Sequence, residues 1–131
     1  GKFRPNDYFY NYFRLGVDIL IDGEKHDVKK FVLHTNLPSH PLFSKYDRCN
    51  FQVQVQGENP ERGLDTVINF KSDWKDVTRL LGEPIGKPVV LDLSADHTQN
   101  PFGPSSFCGY QNMIFEITNG YKIASVCLFK E

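Results

Sequence analysis

Residues 109–129, GYQNMIFEITNGYKIASVCLF, are the stretch of this 131-residue sequence that most clearly predicts a β-hairpin. Two β-rich runs flank Asn119-Gly120, a dipeptide that suits a two-residue type I′ turn. A turn at this position predicts three cross-strand pairs: Phe115 with Ala124, Met113 with Val126, and Ile117 with Lys122. These pairs give the hairpin a mostly apolar face, which favours packing against a core.

The same pattern occurs earlier, in residues 12–34, YFRLGVDILIDGEKHDVKKFVLH. Like residues 107–129, this segment has an aromatic residue, a glycine, an apolar strand, a turn, and a second strand with lysine at its start. Three pairs of positions share one offset: Ile19 and Ile114, Val28 and Ile123, Leu33 and Leu128. Such a repeat predicts two similar halves in one sheet. If the halves are copies, a matching helix lies upstream of Gly1. Residues 1–131 are therefore interpreted as one domain or as a C-terminal excerpt of a larger protein.

One helix is predicted within residues 71–84, KSDWKDVTRLLGEP. Ser72 or Asp73 suits the N-cap, and Gly82 followed by Pro84 suits the end of the helix. The apolar residues recur at helical spacing on one face: Trp74, Val77, Leu80 and Leu81. Because this helix has only about three turns, it needs to dock on a sheet to be stable.

Three further segments have the composition of strands. Residues 51–56 alternate between apolar residues and glutamine, which predicts a strand with one solvated face. Residues 64–70 and 86–94 predict two more strands, and the proline-containing segments 37–47 and 95–106 predict loops. The whole pattern predicts an α+β fold. It consists of an antiparallel sheet of two hairpins plus extra strands, with one short helix packed on a face, in two layers.

The run YFYNYF in residues 8–13 contains five aromatic residues out of six. Neighbouring side chains on a strand point to opposite faces, so one half-buried core cannot take all of these rings. We expect a strand covered on both sides, by the helix–sheet core on one side and by missing chain or a partner on the other. The same interpretation places four residues in the core: Trp74, Phe115, Val126 and Leu128.

Composition narrows the classes of function. The formal net charge is −1, which argues against non-specific nucleic-acid binding and against purely electrostatic binding to anionic lipid. Cys49, Cys108 and Cys127 are widely spaced and form no CxxC pair, which favours a reduced compartment over a disulfide framework. The sequence shows neither an apolar run of about 20 residues nor a signal peptide, so we expect a cytosolic setting.

The sequence predicts no active site, metal site or cofactor. His34, His40 and Cys49 are candidate metal ligands, but their spacing matches no common zinc pattern. No serine lies in a nucleophile elbow, and no glycine-rich loop precedes a helix. Cys49 and Cys127 have the sequence context of core-filling residues.

Four aromatic residues are candidates for binding a partner: Tyr8, Tyr10 and Tyr12 in the aromatic run, and Phe102 in the loop NPFGPSSFCGY. Proline and glycine fix a compact path for that loop, which either presents Phe102 to a partner or tucks it into the core. Three hypotheses stay open: a protein-interaction adaptor, a lipid- or small-ligand-binding module, and an enzyme. A flat apolar patch over the tyrosines favours the first, a pocket with a polar rim the second, and clustered perturbed acids or histidines the third.

Four segments of the sequence together cover most of the chain: NDYFYNYFRLGVDILIDGEKHDVKKFVLHTNLPSH, DWKDVTRLLGEPIGKPVVL, NPFGPSSFCG and MIFEITNGYKIASVCLF. In this order, these segments resemble the C-terminal part of the phagosome assembly factor 1 family. The resemblance implies a cytoplasmic, non-enzymatic factor in autophagy without catalytic residues or cofactors. It also implies a partner, a WD-repeat β-propeller protein (breast carcinoma amplified sequence 3), and recruitment of the pair to the forming phagophore through phosphoinositide lipids.

Overall fold

The computed structural model describes residues 5–38, 40, 42–54, 67–91 and 105–130 of the chain. In chain order the elements are β1 (Tyr8–Tyr12), β2 (Val17–Ile21), β3 (Val28–His34), β4 (Gln52–Gln54), β5 (Val67–Asn69), α1 (Trp74–Leu81), β6 (Ile85–Leu91), β7 (Ser105–Tyr110), β8 (Met113–Ile117) and β9 (Ile123–Phe129). Within these described ranges, no helix has the length and hydrophobicity that crossing a membrane requires.

Seven strands form one antiparallel sheet in the order β1-β2-β3-β9-β8-β7-β6, and β4 pairs with β5 in a small second sheet. The predicted hairpins are β2–β3 and β8–β9. The strands predicted in residues 51–56, 64–70 and 86–94 appear as β4, β5 and β6. The predicted α+β class, an antiparallel sheet with one short helix, is therefore confirmed.

The large sheet consists of two three-stranded meanders, β1-β2-β3 and β7-β8-β9, with β6 added beside β7. The meanders join where β3 pairs with β9, and there Val32 lies opposite Cys127. The first hairpin has a register shift between Leu20 and Ile21, and the second hairpin has one at the matching place. The two halves thus have the same strand register, and an approximate two-fold axis relates them. That they descend from one duplicated unit stays a prediction.

Positions in the strand ladder define which residues of the two halves are equivalent. Ile19 lies between Tyr10 and Phe31 across the first meander, and Phe115 has the same place in the second. The equivalent pairs are Ile19 and Phe115, Phe31 and Val126, Tyr10 and Cys108, Tyr12 and Tyr110, and Val28 and Ile123. The predicted match of Ile19 with Ile114 is wrong by one position. The reason is that residues 22–27 connect the first hairpin whereas the shorter segment 118–122 connects the second.

The pairing predicted inside the second hairpin is also wrong. The structure pairs Phe115 with Val126, Met113 with Leu128 and Ile117 with Ile123. Instead of a two-residue turn, Asn119, Gly120 and Tyr121 form the loop, and the Thr118 N–H donates to the Lys122 carbonyl over 2.9 Å. Gly120 and Tyr121 both have positive φ angles, 88° and 62°. The extra loop residue and the register shift in the hairpin together displace one strand along the other, relative to the predicted pairing. The inner face of the hairpin is still mostly apolar.

The helix α1 begins as the sequence predicted. Asp73 is the N-cap, and its carboxylate accepts from the Asp76 N–H over 3.0 Å while the Asp76 carboxylate accepts from the Asp73 N–H over 2.9 Å. This reciprocal capping box pairs two N–H groups that the first turn of a helix otherwise leaves without acceptors. At the other end Gly82 adopts φ 77°, a conformation that favours glycine.

The main hydrophobic core lies on one face of the sheet, which we call the core face. One row of ladder partners crosses it: Val17, Leu33, Val126, Phe115 and Cys108. The helix covers this face over β7 and β8, where the Trp74 ring lies 6.1 Å from the rings of both Tyr110 and Phe115. Val77, on the same side of the helix, is fully buried.

The small second sheet completes the layer above the core face, because Phe51 and Ile68 belong to the same core cluster as Val77. The four predicted core residues are found there: Phe115 and Val126 are fully buried, and Trp74 and Leu128 are partly buried against them.

The prediction that the helix–sheet core covers one side of the aromatic run is wrong. β1 is the terminal strand of the described sheet, beyond β2, β3 and β9, and four of its five residues are exposed. The helix has only eight residues, about 12 Å of length. Because strands lie about 4.8 Å apart, such a helix spans two or three strands and does not reach β1.

Candidate functional site

Tyr8, Tyr10 and Tyr12 form a row of rings on one side of β1, since alternate residues of a strand share a face. The ring centroids of Tyr8 and Tyr10 are 5.6 Å apart with perpendicular planes, and those of Tyr10 and Tyr12 are 6.4 Å apart. Tyr12 lies opposite Val17, a residue of the core face. This aromatic row therefore extends the core face beyond the part that α1 covers.

Apolar side chains of β2 and β3 continue the aromatic row inward. Ile19 lies between Tyr10 and Phe31, and Val28 lies at the start of β3. We call the aromatic row together with Ile19, Val28 and Phe31 the aromatic patch. Tyr10 is 52% exposed, Tyr12 44%, Val28 41% and Phe31 39%. Contiguous exposed apolar surface of this kind marks interaction sites on soluble proteins.

Polar contacts fix β1 against the turn that follows β2. The Asp7 carboxylate accepts from the Gly23 N–H over 2.9 Å and from Lys29 Nζ over 2.7 Å. Tyr8 Oη lies 3.1 Å from His26 Nδ1. The aromatic patch is thus held in place before any partner arrives, which lowers the ordering cost of binding.

Phe102, the fourth predicted partner-binding residue, lies outside the described residues, and its role stays a prediction. Of the four predicted residues, the structure brings Tyr8, Tyr10 and Tyr12 together in the aromatic row.

The opposite face of the sheet, which we call the loop face, is buried in a different way. Polar side chains of four strands point to it: Asp18, His34, Glu116 and Ser125. His40 and Tyr46, from the loop after β3, pack onto them, and all six residues are buried. The polar side chains form two clusters, each centred on one carboxylate.

The first cluster surrounds Glu116. His40 Nε2 lies 2.6 Å from Glu116 Oε2, and Ser125 Oγ donates to Glu116 Oε1 over 2.8 Å. The Leu42 N–H donates to His40 Nδ1, so Nε2 carries the ring proton and donates to the carboxylate. Burial alone raises the pKa of Glu116, but the hydrogen bonds from His40, Ser125 and Ser105 outweigh it and hold that pKa below its ordinary value. Glu116 is therefore an ionised carboxylate surrounded by donors.

The second cluster surrounds Asp18. The Tyr46 hydroxyl lies 2.7 and 2.9 Å from the two carboxylate oxygens, and His34 Nε2 lies 2.8 Å from Oδ2. The rings of His34 and Tyr46 stack with centroids 3.8 Å apart. Burial, and then the hydrogen bond to Asp18, raise the pKa of Tyr46 to about 12. The hydroxyl therefore stays protonated and donates to Asp18.

Clustered acids and histidines favour the enzyme hypothesis, but the order of the groups along each hydrogen-bond chain does not suit acyl-transfer chemistry. In a Ser-His-Asp relay the histidine lies between the nucleophile and the acid, because it must take the nucleophile's proton. Here each carboxylate lies between the histidine and the hydroxyl, and the hydroxyls donate directly to it. The side chains are also buried under the loop. Both clusters therefore suit anchoring the loop after β3 to the sheet.

Two of the three candidate metal ligands, His34 and His40, have other partners for their side chains. The imidazoles of His34 and His40 bind the two cluster carboxylates, and the Cys49 N–H donates to the His34 carbonyl over 2.8 Å. In the described part of the chain, no three His, Cys, Asp or Glu side chains form a group that could hold a metal ion. Burial raises the pKa of the thiols of Cys49, Cys108 and Cys127, which disfavours the nucleophilic thiolate.

A depression of about 690 Å³ lies at the ends of β3 and β9, beside the aromatic patch. Val28, Phe31 and Leu128 give it an apolar floor. Three lysines, Lys29, Lys30 and Lys130, and one acid, Asp27, line its rim, which is basic on balance. The depression extends the aromatic patch into a shallow groove with a basic edge.

The two carboxylate clusters were not predicted, although the sequence contains a signal for them. Asp18 and Glu116 each interrupt an apolar strand, VDILI and MIFEI. A carboxylate on a covered face needs hydrogen-bond donors, because burying an isolated charge is very unfavourable. The sequence does not name those donors, since His40 and Glu116 are 76 residues apart.

Comparison with known proteins finds one family and several relatives. The family described as Phagosome assembly factor 1 matches residues 2–129. A PHAF1 protein of Arabidopsis thaliana is 43% identical over 125 residues, which cover 95% of this chain and 30% of that protein. A PHAF1 protein of Drosophila melanogaster is 41% identical over 140 residues, covering 96% and 32%.

A third relative, a PHAF1 protein of Caenorhabditis elegans, is 38% identical over 126 residues, covering 95% of this chain and 28% of that protein. The chain thus spans between 28% and 32% of the length of these relatives. No solved structure matches the chain significantly.

Proposed function

The chain belongs to the phagosome assembly factor 1 family, and on that premise we propose that it is a non-enzymatic adaptor domain that acts in phagosome assembly during autophagy. Because the chain spans about a third of the length of its relatives, this role is proposed for the domain as part of a longer protein. The observation that carries the proposal is the exposure of β1 and its aromatic row at the terminal strand of the described sheet.

The aromatic patch has the composition and size of the centre of a protein interface. Tyrosine is enriched among the residues that dominate binding energy. An aromatic side chain buries about 150–250 Å² when fully covered. The exposed parts of the aromatic row and Phe31 therefore offer roughly 300 Å², more than a third of the roughly 800 Å² that each partner buries in a standard interface.

The proposed partner is a WD-repeat β-propeller protein of the breast carcinoma amplified sequence 3 type. In this proposal the partner lies alongside β1, in the place that β6 takes beside β7, and contacts Tyr8, Tyr10 and Tyr12. β1 suits this role because it is the terminal strand of the described sheet, and strands at that position accept further strands. The cytoplasmic pair reaches the phagophore through phosphoinositides. The net charge of −1 supports indirect recruitment, in which the partner supplies the affinity for lipid.

A pull-down of the propeller protein with this chain tests the proposal. The variant Tyr10→Ala removes a ring from the centre of the aromatic row, and Tyr121→Ala removes a ring that is 70% exposed on the loop between β8 and β9. A central aromatic contact contributes about 2 kcal/mol or more, so Tyr10→Ala lowers capture by at least about tenfold while Tyr121→Ala leaves it unchanged. If the wild-type chain captures no propeller protein while a longer family protein does, the interface lies elsewhere.

The depression beside Phe31 supports a second candidate, a lipid- or small-ligand-binding module. Its apolar floor and basic rim suit an anionic lipid more than a neutral ligand. Flotation of the chain alone with liposomes that contain phosphatidylinositol 3-phosphate tests this. Binding that is lost in Lys130→Glu would favour the second candidate, and absence of binding would leave the adaptor.

A further inference from the structure

The two halves of the sheet differ in the covering of equivalent residues on the core face. Val126, Ile123 and Cys108 are buried in the second half. Their equivalents in the first half are Phe31, Val28 and Tyr10, which are all exposed. The strand register is the same in both halves, so the sheet itself does not cause the difference. What the second half has in addition is the covering layer of α1 and the small β4–β5 sheet, with Val77 and Ile68 in the core cluster and Trp74 against Phe115.

We infer that the aromatic patch is the seat of an amphipathic α-helix from the part of the family protein that lies outside these 131 residues. This helix crosses β1 and β2 on the core face, as α1 crosses β7 and β8, and it covers Tyr12, Ile19 and Phe31. Two observations favour the same protein as its source. In the second half the covering helix belongs to the same chain as the strands beneath it. About two thirds of the length of the relatives lies outside the matched region.

The shapes of the two faces define the chemistry of this helix. Where the second half has Cys108 and Val126, the first half has the larger Tyr10 and Phe31. Because the rings fill more of the space above the sheet, the helix that covers them presents small and medium apolar residues such as Ala, Val and Leu, with no counterpart of Trp74 above them. Lys130 lines the adjoining depression, so the edge of the helix nearest it carries Asp or Glu.

This helix and the proposed propeller partner both contact Tyr10 and Tyr12, but from different sides. The helix lies on the core face above β1 and β2, whereas the partner lies beside the outer edge of β1. The second half shows that both places are filled together, since α1 lies on the face and β6 lies beside β7. Because the helix can be tested on the full-length protein without a partner, the inference holds or fails independently of the propeller.

Hydroxyl-radical footprinting with mass spectrometry tests the inference on the full-length family protein, purified without any partner and compared with the 131-residue chain. Oxidation of Phe31 and Tyr12 is expected to fall several-fold in the full-length protein. Oxidation of Tyr121, which is far from the aromatic patch, stays the same. Equal oxidation of Phe31 in the two proteins overturns the inference. Protection that appears only at concentrations where the protein dimerises assigns the surface to a second copy and also overturns it.

A pair of equivalent variants gives a second readout. Val126→Ala opens a cavity in a buried site, so it lowers the midpoint of thermal unfolding in both the 131-residue chain and the full-length protein. Phe31→Ala hardly changes the midpoint of the 131-residue chain, where the ring is exposed, but lowers that of the domain in the full-length protein. An equally small effect of Phe31→Ala in both proteins contradicts the helix, whether or not the propeller binds.

Discussion

The two meanders of the sheet have the same register and opposite surroundings. In the second meander, Phe115 is fully buried beneath Trp74. In the first, the equivalent Ile19 belongs to an exposed patch of rings. The comparison separates the cause of strand register from the cause of burial, which the sequence pattern alone does not distinguish. Turn and bulge geometry set the register of a hairpin locally, whereas burial depends on whatever else packs against it. An apolar strand face that its own chain does not cover is therefore a candidate docking surface.

We expect the largest difference in the free energy of unfolding between alanine substitutions at the equivalent positions 115 and 19 of the 131-residue chain. Phe115→Ala should lower the free energy of unfolding by about 3–5 kcal/mol, because it leaves a large cavity in the core. Ile19→Ala should cost about 1 kcal/mol, since its site is open to solvent on the outer side. Urea denaturation monitored by circular dichroism measures both values. Equal losses at the two positions would mean that the first half is covered as well as the second.

The loop face should behave differently, because it is buried in both halves. Glu116→Gln and Asp18→Asn each remove a charge that buried donors surround, so each should lower the free energy of unfolding by about 2–3 kcal/mol. The same denaturation experiment compares them. A large loss for one variant with no loss for the other would show that the two clusters are not alike in their anchoring role.

The loss of stability at acid pH should depend on Glu116. Its pKa in the folded protein lies below the ordinary 4.5, so its contribution is fully present above pH 4.5 and is lost as the pH falls through the lower, folded value. Thermal midpoints measured from pH 7 to pH 3 should fall at the acid end, and Glu116→Gln should fall less steeply over that range. An unchanged slope in the variant would assign this loss of stability to other carboxylates.

Weakening α1 should make the second half more like the first. Asp73→Ala removes half of the capping box and should lower the free energy of unfolding by about 1 kcal/mol. Lys75→Ala, a nearby exposed position in the same helix, is the matched control and should have little effect. Differential scanning fluorimetry detects the difference. Equal effects of the two variants would remove the cap as the cause.

The smallest expected effect concerns the aromatic row itself. Tyr10→Ser in the 131-residue chain should change the free energy of unfolding by no more than about 0.5 kcal/mol, because an exposed ring on a terminal strand contributes little to the core. Calorimetry at neutral pH measures this value. A loss as large as that of Phe115→Ala would mean that the row is structural.

Local patterns predicted much of the fold. Alternation and turn residues located both hairpins, and the spacing of Trp74 and Val77 with the cap residues located α1. The register of the second hairpin was mispredicted because Asn119-Gly120 suits a two-residue turn, whereas the structure adds Tyr121 with a positive φ. That choice depends on the strands as they pack and not on the dipeptide.

The candidate site was predicted in part. The aromatic run predicted that Tyr8, Tyr10 and Tyr12 lie together and need a covering partner. It did not predict which part of the sheet α1 leaves uncovered. Sheet order decides this, and sheet order depends on the pairing of β3 with β9, whose residues are far apart in sequence. The carboxylate clusters were missed for the same reason, since Glu116 and Asp18 meet their donors only in the folded chain.

The central claim is that the uncovered core face of the first half is a docking surface. Footprinting of the full-length protein mixed with the proposed propeller partner tests it most directly, with the isolated 131-residue chain as the reference. The account predicts that Tyr10, Tyr12 and Phe31 lose most of their reactivity in the assembly, while Tyr121 keeps its own. Equal reactivity of these rings in the assembly and in the isolated chain would contradict it.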